Sequence, residues 1–234
     1  MPSMNQRRSV HNGPRVVKDG IVACWDAAGR RSYPGTGTTW YDMSGNGNDG
    51  TLTSGPTFDP ANGGSIDFDG SDDYVTMGDV SLFDFGTNGN FSLSLWFKRA
   101  GTGNEYLIVK GDTNASYWLR FESDDTIRIM LDYGATNDAA RSIATYTDTN
   151  WHHVVGVADR VAGITLWIDG VQDGADLSLA GGDVSNIYAF SIGAQTEGTA
   201  KPFNGKITAV SVYDRALTAA EVRQNYNATK GRFI

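Results

Sequence analysis

The sequence predicts an all-β fold, an antiparallel two-sheet sandwich ending in one short C-terminal helix. Helical periodicity is nearly absent before residue 217, and short runs of alternating apolar and polar residues take its place. These runs are separated by clusters of Gly, Asp and Asn, with 29 Gly but only 6 Pro in 234 residues, the composition of tight turns rather than disorder. A lone helix-start signal appears at Thr218. The length suits one sandwich domain.

The elements follow in order. Phe91, Leu93, Leu95 and Phe97 alternate with Ser92, Ser94, Trp96 and Lys98, the pattern of a half-buried strand. Gly111-Asp112-Thr113-Asn114 breaks the chain, and Ile127, Ile129 and Leu131 then alternate with Thr126, Arg128 and Met130. After a break at 134–138, Ile164, Leu166 and Ile168 share a face with Thr165 and Trp167 opposite. Asp169-Gly170 supplies the two positive φ values of a type I′ turn, so a hairpin continues into Val171-Gln172. Gly181-Gly182-Asp183 is a further break. Ile207, Ala209, Ser211 and Tyr213 are expected on one face of the last strand, with Val210 and Val212 on the other, as in a central strand. Thr218 and Glu221 form a capping box, and Leu217, Val222 and Tyr226 are placed to dock that helix onto the sheet.

Charge divides the chain. There are 27 acidic and 19 basic residues. Residues 1–20 carry Arg7, Arg8, Arg15 and Lys18 against Asp19, a net +3, so the remainder carries −11 of the total −8. The acidic body argues against nucleic acid as a partner. The expected organisation is a flexible basic arm over 1–19, suited to docking, and a folded domain over 20–234. No 18-residue apolar window exists, so no membrane insertion is expected. Met1–Lys18 is polar and Arg-rich, unlike an export signal. Cys24 is the single cysteine and is expected in the core.

Few residues suit catalysis. A retaining glycanase needs two carboxylates about 5–5.5 Å apart. The four Glu (Glu105, Glu122, Glu197 and Glu221) are not paired at strand spacing, so no catalytic residues are assigned. His152 and His153 are adjacent in a strand and point to opposite faces, one inward and one to solvent, so they cannot share a metal. Calcium is the metal that the oxygen-rich loops suit: Asp42, Asn46 and Asn48 space their oxygens like half of a calcium loop, and Asp67, Asp69, Asp72 and Asp73 form a second oxygen-rich loop, with Asp69 and Asp72 as its candidate ligands. The same residues serve equally well as Asx turns. For glycan binding the candidate platform is Trp40, Tyr41, Tyr117 and Trp118, aromatics beside polar loops. Trp25 and Trp151 are expected to fill the core or cover an edge.

Four stretches in order carry a family resemblance: Trp40–Gly50 with Ile66–Val75, Trp151-His152-His153-Val154-Val155, Leu166-Trp167-Ile168-Asp169-Gly170, and Phe203–Ile207 with Val212–Val222. Over about residues 20–228 the chain resembles the laminin-G-like, concanavalin-A-like jelly rolls. The resemblance implies a jelly-roll sandwich, calcium between loops at one end in several members, and a module usually joined to adhesins, sialidases, glycanases or phage structural proteins. The front end, Val17–Val22, Trp25–Ala28 and Ser32–Trp40, is similar to a subtype common in tailed phages of aquatic bacteria. The expected function is therefore a non-enzymatic virion component, a capsid-decoration or fibre-associated module on the particle surface. It would be made in the host cytoplasm and docked through the arm onto a major capsid or other virion protein, with self-association and surface-glycan adhesion as further expectations. The alternative is a free extracellular bacterial carbohydrate-binding or adhesion module.

Overall fold

The computed structural model describes residues 15–112, 115–176, 179–195 and 200–234. Two eight-stranded sheets face one another, and every ladder between their strands is antiparallel. The first runs β14 (Val171–Asp176), β13 (Gly163–Ile168), β12 (Trp151–Asp159), β7 (Phe91–Arg99), β16 (Asn204–Tyr213), β5 (Ser65–Asp69), β4 (Thr57–Asp59), with β1 (Ile21–Trp25) on the far half of β16. The second runs β11 (Asn137–Arg141), β10 (Ile127–Asp132), β9 (Ser116–Phe121), β8 (Glu105–Gly111), β15 (Phe190–Ile192), β6 (Tyr74–Thr76), β3 (Gly50–Thr53), β2 (Thr39–Trp40). The main core lies between them and includes Trp25, Trp40, Phe68, Phe91, Phe97, Phe121 and Phe190.

Alternation works as expected in β10, where Ile127, Ile129 and Leu131 are buried and Arg128, Met130 and Asp132 half-exposed. Asp169 and Gly170 take φ values of 51° and 78°, the type I′ turn that joins β13 to β14. β7 departs from the half-buried expectation: Ser92, Ser94 and Trp96 are buried as well. The cause is helix α1 (Ala219–Thr229) with the chain end, which packs on the outer face of the first sheet and stacks Tyr226 and Phe233 on Trp96 at 5.8 and 4.3 Å. The helix begins with the anticipated capping box, and Leu217 and Val222 join Val17, Val155, Trp167 and Tyr213 in a second apolar cluster beneath it.

Two strand irregularities matter later. In β16, Thr208 pairs with Trp96 and Ser211 with Ser94, so Ala209 and Val210 oppose Leu95 alone. This bulge, with Ala209 at φ 50°, shifts the phase of the strand. Ile207, Val210 and Val212 face the main core while Tyr213 joins the outer cluster, correcting the single face expected for Ile207 and Tyr213. In β1, the register skips Val22, leaving its carbonyl outside the ladder.

The N-terminal segment also differs from expectation. Arg7 and Arg8 lie outside the described residues, but 15–18 is held against α1. Val17 is buried, its N–H donates to Asn225 Oδ1 at 2.8 Å, and Gln224 donates to the Arg15 carbonyl at 2.7 Å. Arg15 and Lys18 are exposed. Residues 15–18, expected within the arm, are thus packed against the folded domain.

Candidate functional site

The loop over residues 42–48, read as half of a calcium loop, is a clasp on β1. The Asp42 carboxylate accepts from the backbone N–H groups of Cys24, Ser44 and Asn48 and from the Ser44 hydroxyl, at 2.6–3.1 Å. The Asn46 and Asn48 side-chain amides both donate to the Val22 carbonyl that the bulge releases, at 3.0 Å. A buried carbonyl without a partner is costly, and the Asx-rich loop removes that cost. The Asp42 carboxylate and the side-chain N–H groups of Asn46 and Asn48 are thus engaged inside the fold.

The expected aromatic platform does not assemble. Trp40 and Tyr117 are fully buried, and the Tyr117 hydroxyl donates to the Phe83 carbonyl at 3.0 Å. Both belong to the main core because β2 and β9 turn them inward. Trp118 lies on the outer face of the second sheet with Tyr106 and Val109, yet it is 5% exposed because the Arg120 guanidinium sits 4.0 Å above its ring. Tyr41 alone is open, at 44%.

A polar cleft forms instead at the end of the sandwich where β5 turns into β6. The Asp69 carboxylate accepts from the Ser71 N–H, and the Asp73 carboxylate accepts from the Asp69 N–H. These two Asx contacts fold the turn so that Asp69, Asp72 and Asp73 bring one oxygen each within 4.8 Å of the others. Asp73 is buried, and burial followed by the charges of Asp69, Asp72 and Asp67 pushes its carboxyl up. A cation would relieve that repulsion. Three carboxylates at this spread can reach a hard ion such as calcium, which takes six to eight oxygens at about 2.3–2.6 Å, the remainder coming from backbone and water. The sequence pattern pointed to all three together with Asp67; nothing in a run of turn residues marks Asp73 as the one that folds inward.

Two grooves flank this turn. One, of about 380 Å³, includes Ser54, Thr57, Asp69 and Asp73, and the other, of about 530 Å³, includes Thr102, Asn104 and Glu105. Asn204 borders both. Its backbone is clamped: the N–H donates to Glu105 Oε1 at 3.0 Å, and the carbonyl accepts from Ala100 and Gly101. Glu105 is in turn held by Arg99 at 2.5 Å, and Arg99 also reaches Asp125 and the Gly103 carbonyl. The groove wall is therefore a rigid frame of carboxylate, amide and hydroxyl groups.

The two histidines do face opposite ways. His152 hydrogen-bonds Asp169 at 2.8 Å and Asp148 at 3.1 Å, and these carboxylates outweigh burial to raise its pKa. His153 is the more buried of the pair, because α1 covers the outer face; its pKa falls to about 4 through desolvation. Its Nε2 lies 3.0 Å from Ser94 Oγ. So weak a base suits no proton abstraction near neutral pH. Cys24, expected in the core, is half-buried on this same outer face, where burial pushes its thiol pKa up.

The family model for the concanavalin A-like lectin/glucanases superfamily matches residues 69–223, well over half of the chain. The chain belongs to this superfamily. As a member it is similar in structure to the binding domain of a paraclostridial mosquitocidal protein, with a TM-score of 0.74 and 16% identity over 90% of this chain and 52% of that one. It is similar to domain 4 of an extracellular arabinanase from Geobacillus stearothermophilus, solved with arabinotriose, with a TM-score of 0.69 and 17% identity over 92% of this chain and 99% of that domain. In sequence it is 27% identical over 149 residues to the adhesion G-protein coupled receptor V1 of Danio rerio, covering 59% of this chain and 2% of the receptor.

Proposed function

We propose that this superfamily member is a non-catalytic carbohydrate-binding module that holds a short glycan in the loop-end cleft around Asn204. Calcium on Asp69, Asp72 and Asp73 would stiffen the cleft and meet sugar hydroxyls. The observation that carries this reading is the convergence of three carboxylates within 4.8 Å beside two polar grooves that share Asn204. The solved arabinanase domain, similar over nearly its whole length, was captured with arabinotriose, and the sandwich of this chain offers a comparable scaffold. With no open Trp in the cleft, hydrogen bonds rather than stacking supply the grip. A glycan array followed by calorimetry, with and without chelator, tests it. Binding that weakens at least tenfold in Asn204→Ala and in Asp73→Asn, both folded, supports the assignment; full binding in both variants refutes it.

A second reading, display on a phage particle, draws support from the charge split between residues 1–20 and the acidic remainder. The arm would dock on a capsid or other virion protein and leave the cleft facing outward, where many weak sites act together. Because 15–18 is packed against α1, the informative truncation removes residues 1–14 only. It should abolish particle binding with an unchanged melting temperature. Full particle occupancy by the truncated protein would refute the docking role.

A further inference from the structure

The outer face of the second sheet carries a row of arginines. Arg128 on β10 stands directly opposite Arg120 on β9 and Arg141 on β11, so three guanidinium groups cross three adjacent strands in one line. Neighbouring strands lie about 4.8 Å apart, which makes this line about 10 Å long. It continues onto β8 at Tyr106, which pairs with Arg120 and has the Lys201 ammonium 5.1 Å from its ring. Ile127, Ile129 and Leu131 fill the main core, so Arg128 points away from it. None of the three arginines borders either groove of the cleft.

The flanking arginines are paired, and the middle one is not. Arg120 Nη2 donates to both Glu122 carboxylate oxygens at 3.1 Å. Arg141 pairs with Asp124 and donates from Nε to Thr126 Oγ1 at 2.6 Å. Arg128 Nη1 comes no closer than 3.8 Å to Glu122 Oε1, and among the described residues its guanidinium donates no hydrogen bond. Like charges directly opposite one another in a sheet are destabilising. Burial, with the charges of Arg120 and Arg141, pulls the Arg128 pKa down against the opposing charge of Glu122. Lys201, Arg120, Arg128 and Arg141 are set against Glu122 and Asp124, a locally positive stripe on a body of net −11 over residues 21–234.

We infer that this row binds a single extended chain of uronic-acid sugars, its carboxylates meeting the guanidinium groups of Arg128 and its neighbours. The guanidinium fork matches a planar carboxylate, as Arg120 already shows with Glu122. A stripe one side chain wide suits an extended polymer rather than the broad face of a folded acidic protein. Beside it runs a second, apolar line in the same register, Val109, Trp118, Met130 and Ala139, of which Met130 and Ala139 are half-exposed. That line offers sugar rings a surface to rest on, which a phosphate backbone would not use. The site is separate from the cleft and needs no cation.

The test is calorimetry on the full chain with a galacturonic acid hexamer, in chelator and at low ionic strength. Its methyl ester, a glutamate hexamer and an oligothymidylate of equal charge are titrated in parallel. Saturable binding of the hexamer is expected, weakening as salt is added and falling roughly tenfold or more in Arg128→Gln, with a smaller loss in Arg128→Lys, which keeps the charge but not the fork. Arg128 makes no hydrogen bond that the fold could lose, so the melting temperature of Arg128→Gln should not fall. A full-chain variant carrying Arg7→Gln and Arg8→Gln should bind as wild type does. No saturable binding of the hexamer to the wild type would overturn the inference. Equal affinity for the methyl ester would overturn the role of charge, and equal affinity for the glutamate or thymidylate chain would overturn the ligand class. Unchanged affinity in folded Arg128→Gln, or its loss in the Arg7 and Arg8 variant, would overturn the location. Binding that appears only with calcium would assign the ligand to the cleft and overturn the location as well, whereas failure of the cleft variants leaves this row untouched.

Discussion

Lys110 follows the apolar run Tyr106–Val109 near the end of β8, and its side chain is wholly buried. Its ammonium lies 3.0 Å from Asp84 Oδ1, 3.2 Å from Asp79 Oδ1, 2.7 Å from the Asn186 carbonyl and 3.0 Å from the Tyr188 carbonyl. This is an oxygen cage of the type that holds a metal ion, with a lysine supplying the charge. It ties the 79–84 turn to the 186–188 loop. Replacing Lys110 by Met keeps most of the aliphatic stem and removes the cation. Breaking a buried pair by deleting one partner costs about 3–5 kcal/mol. Here the lower end applies, because Asp79 is 47% exposed and can rehydrate while Asp84, at 26%, does so in part. A loss of about 3 kcal/mol in a chain of this length lowers Tm by roughly 6–12 °C. Calorimetric unfolding measures it, and hydrogen exchange should show early opening of 184–190. A Tm within about 2 °C of wild type, the effect of less than 1 kcal/mol, would refute the claim that the cage secures these loops.

Thr218→Ala removes the hydroxyl that accepts from the Glu221 N–H and should cost about 1 kcal/mol by urea denaturation, with exchange rising first in 219–223. Gly156→Ala places a methyl 2.5 Å from Ile129 Cδ1 across the core, so overpacking of about 1–3 kcal/mol is expected in the same assay. His153, with its pKa pushed down to about 4 by burial, binds fewer protons folded than unfolded. Its contribution is therefore complete above about pH 6.5 and is lost as pH falls toward 4, at up to about 1.4 kcal/mol per pH unit. His152, with its pKa raised, acts in the opposite sense and loses its contribution as pH rises through its folded value. Stability measured from pH 7 to 4 should fall less steeply in His153→Gln than in wild type; parallel curves would contradict the assignment.

The fold was legible where a pattern is local. The period-2 run of β10, the Asp169-Gly170 turn and the Thr218–Glu221 box each specify a conformation through neighbouring residues, and each appears as read. What a second layer covers was less legible. Ser92 and Ser94 read as solvent-facing, yet α1 lies over them, and helix placement depends on residues more than a hundred positions away. The β16 bulge was hidden because Ala209 has no feature that announces a positive φ. In the candidate cleft, Asp69 and Asp72 were visible as oxygen-rich turn residues. Asn204 and Glu105 were not, since their roles arise from loops joined only in the folded chain.

The same two residue types divide between structure and site according to what they must satisfy. Around residues 42–48, Asp and Asn face unpaired backbone groups, Val22 O and the Cys24 N–H, and the Asp42 oxygens and the Asn46 and Asn48 amide N–H groups are drawn onto them. Around residues 69–73, β5 and β6 need only two Asx contacts to close the turn, so carboxylate oxygens remain turned toward one another with their repulsion uncompensated. Composition cannot tell these loops apart. The presence of a strand bulge beneath one of them does, because a bulge creates the backbone demand that consumes the side chains. On this reasoning, Asp42→Ala should loosen β1, and Asp72→Ala should leave stability in chelator nearly unchanged while reducing any gain on adding calcium. Exchange protection of 21–25 in the first variant and Tm with and without calcium in the second measure the distinction. Equal loss of stability in chelator from both substitutions would show that the two loops serve the same structural purpose.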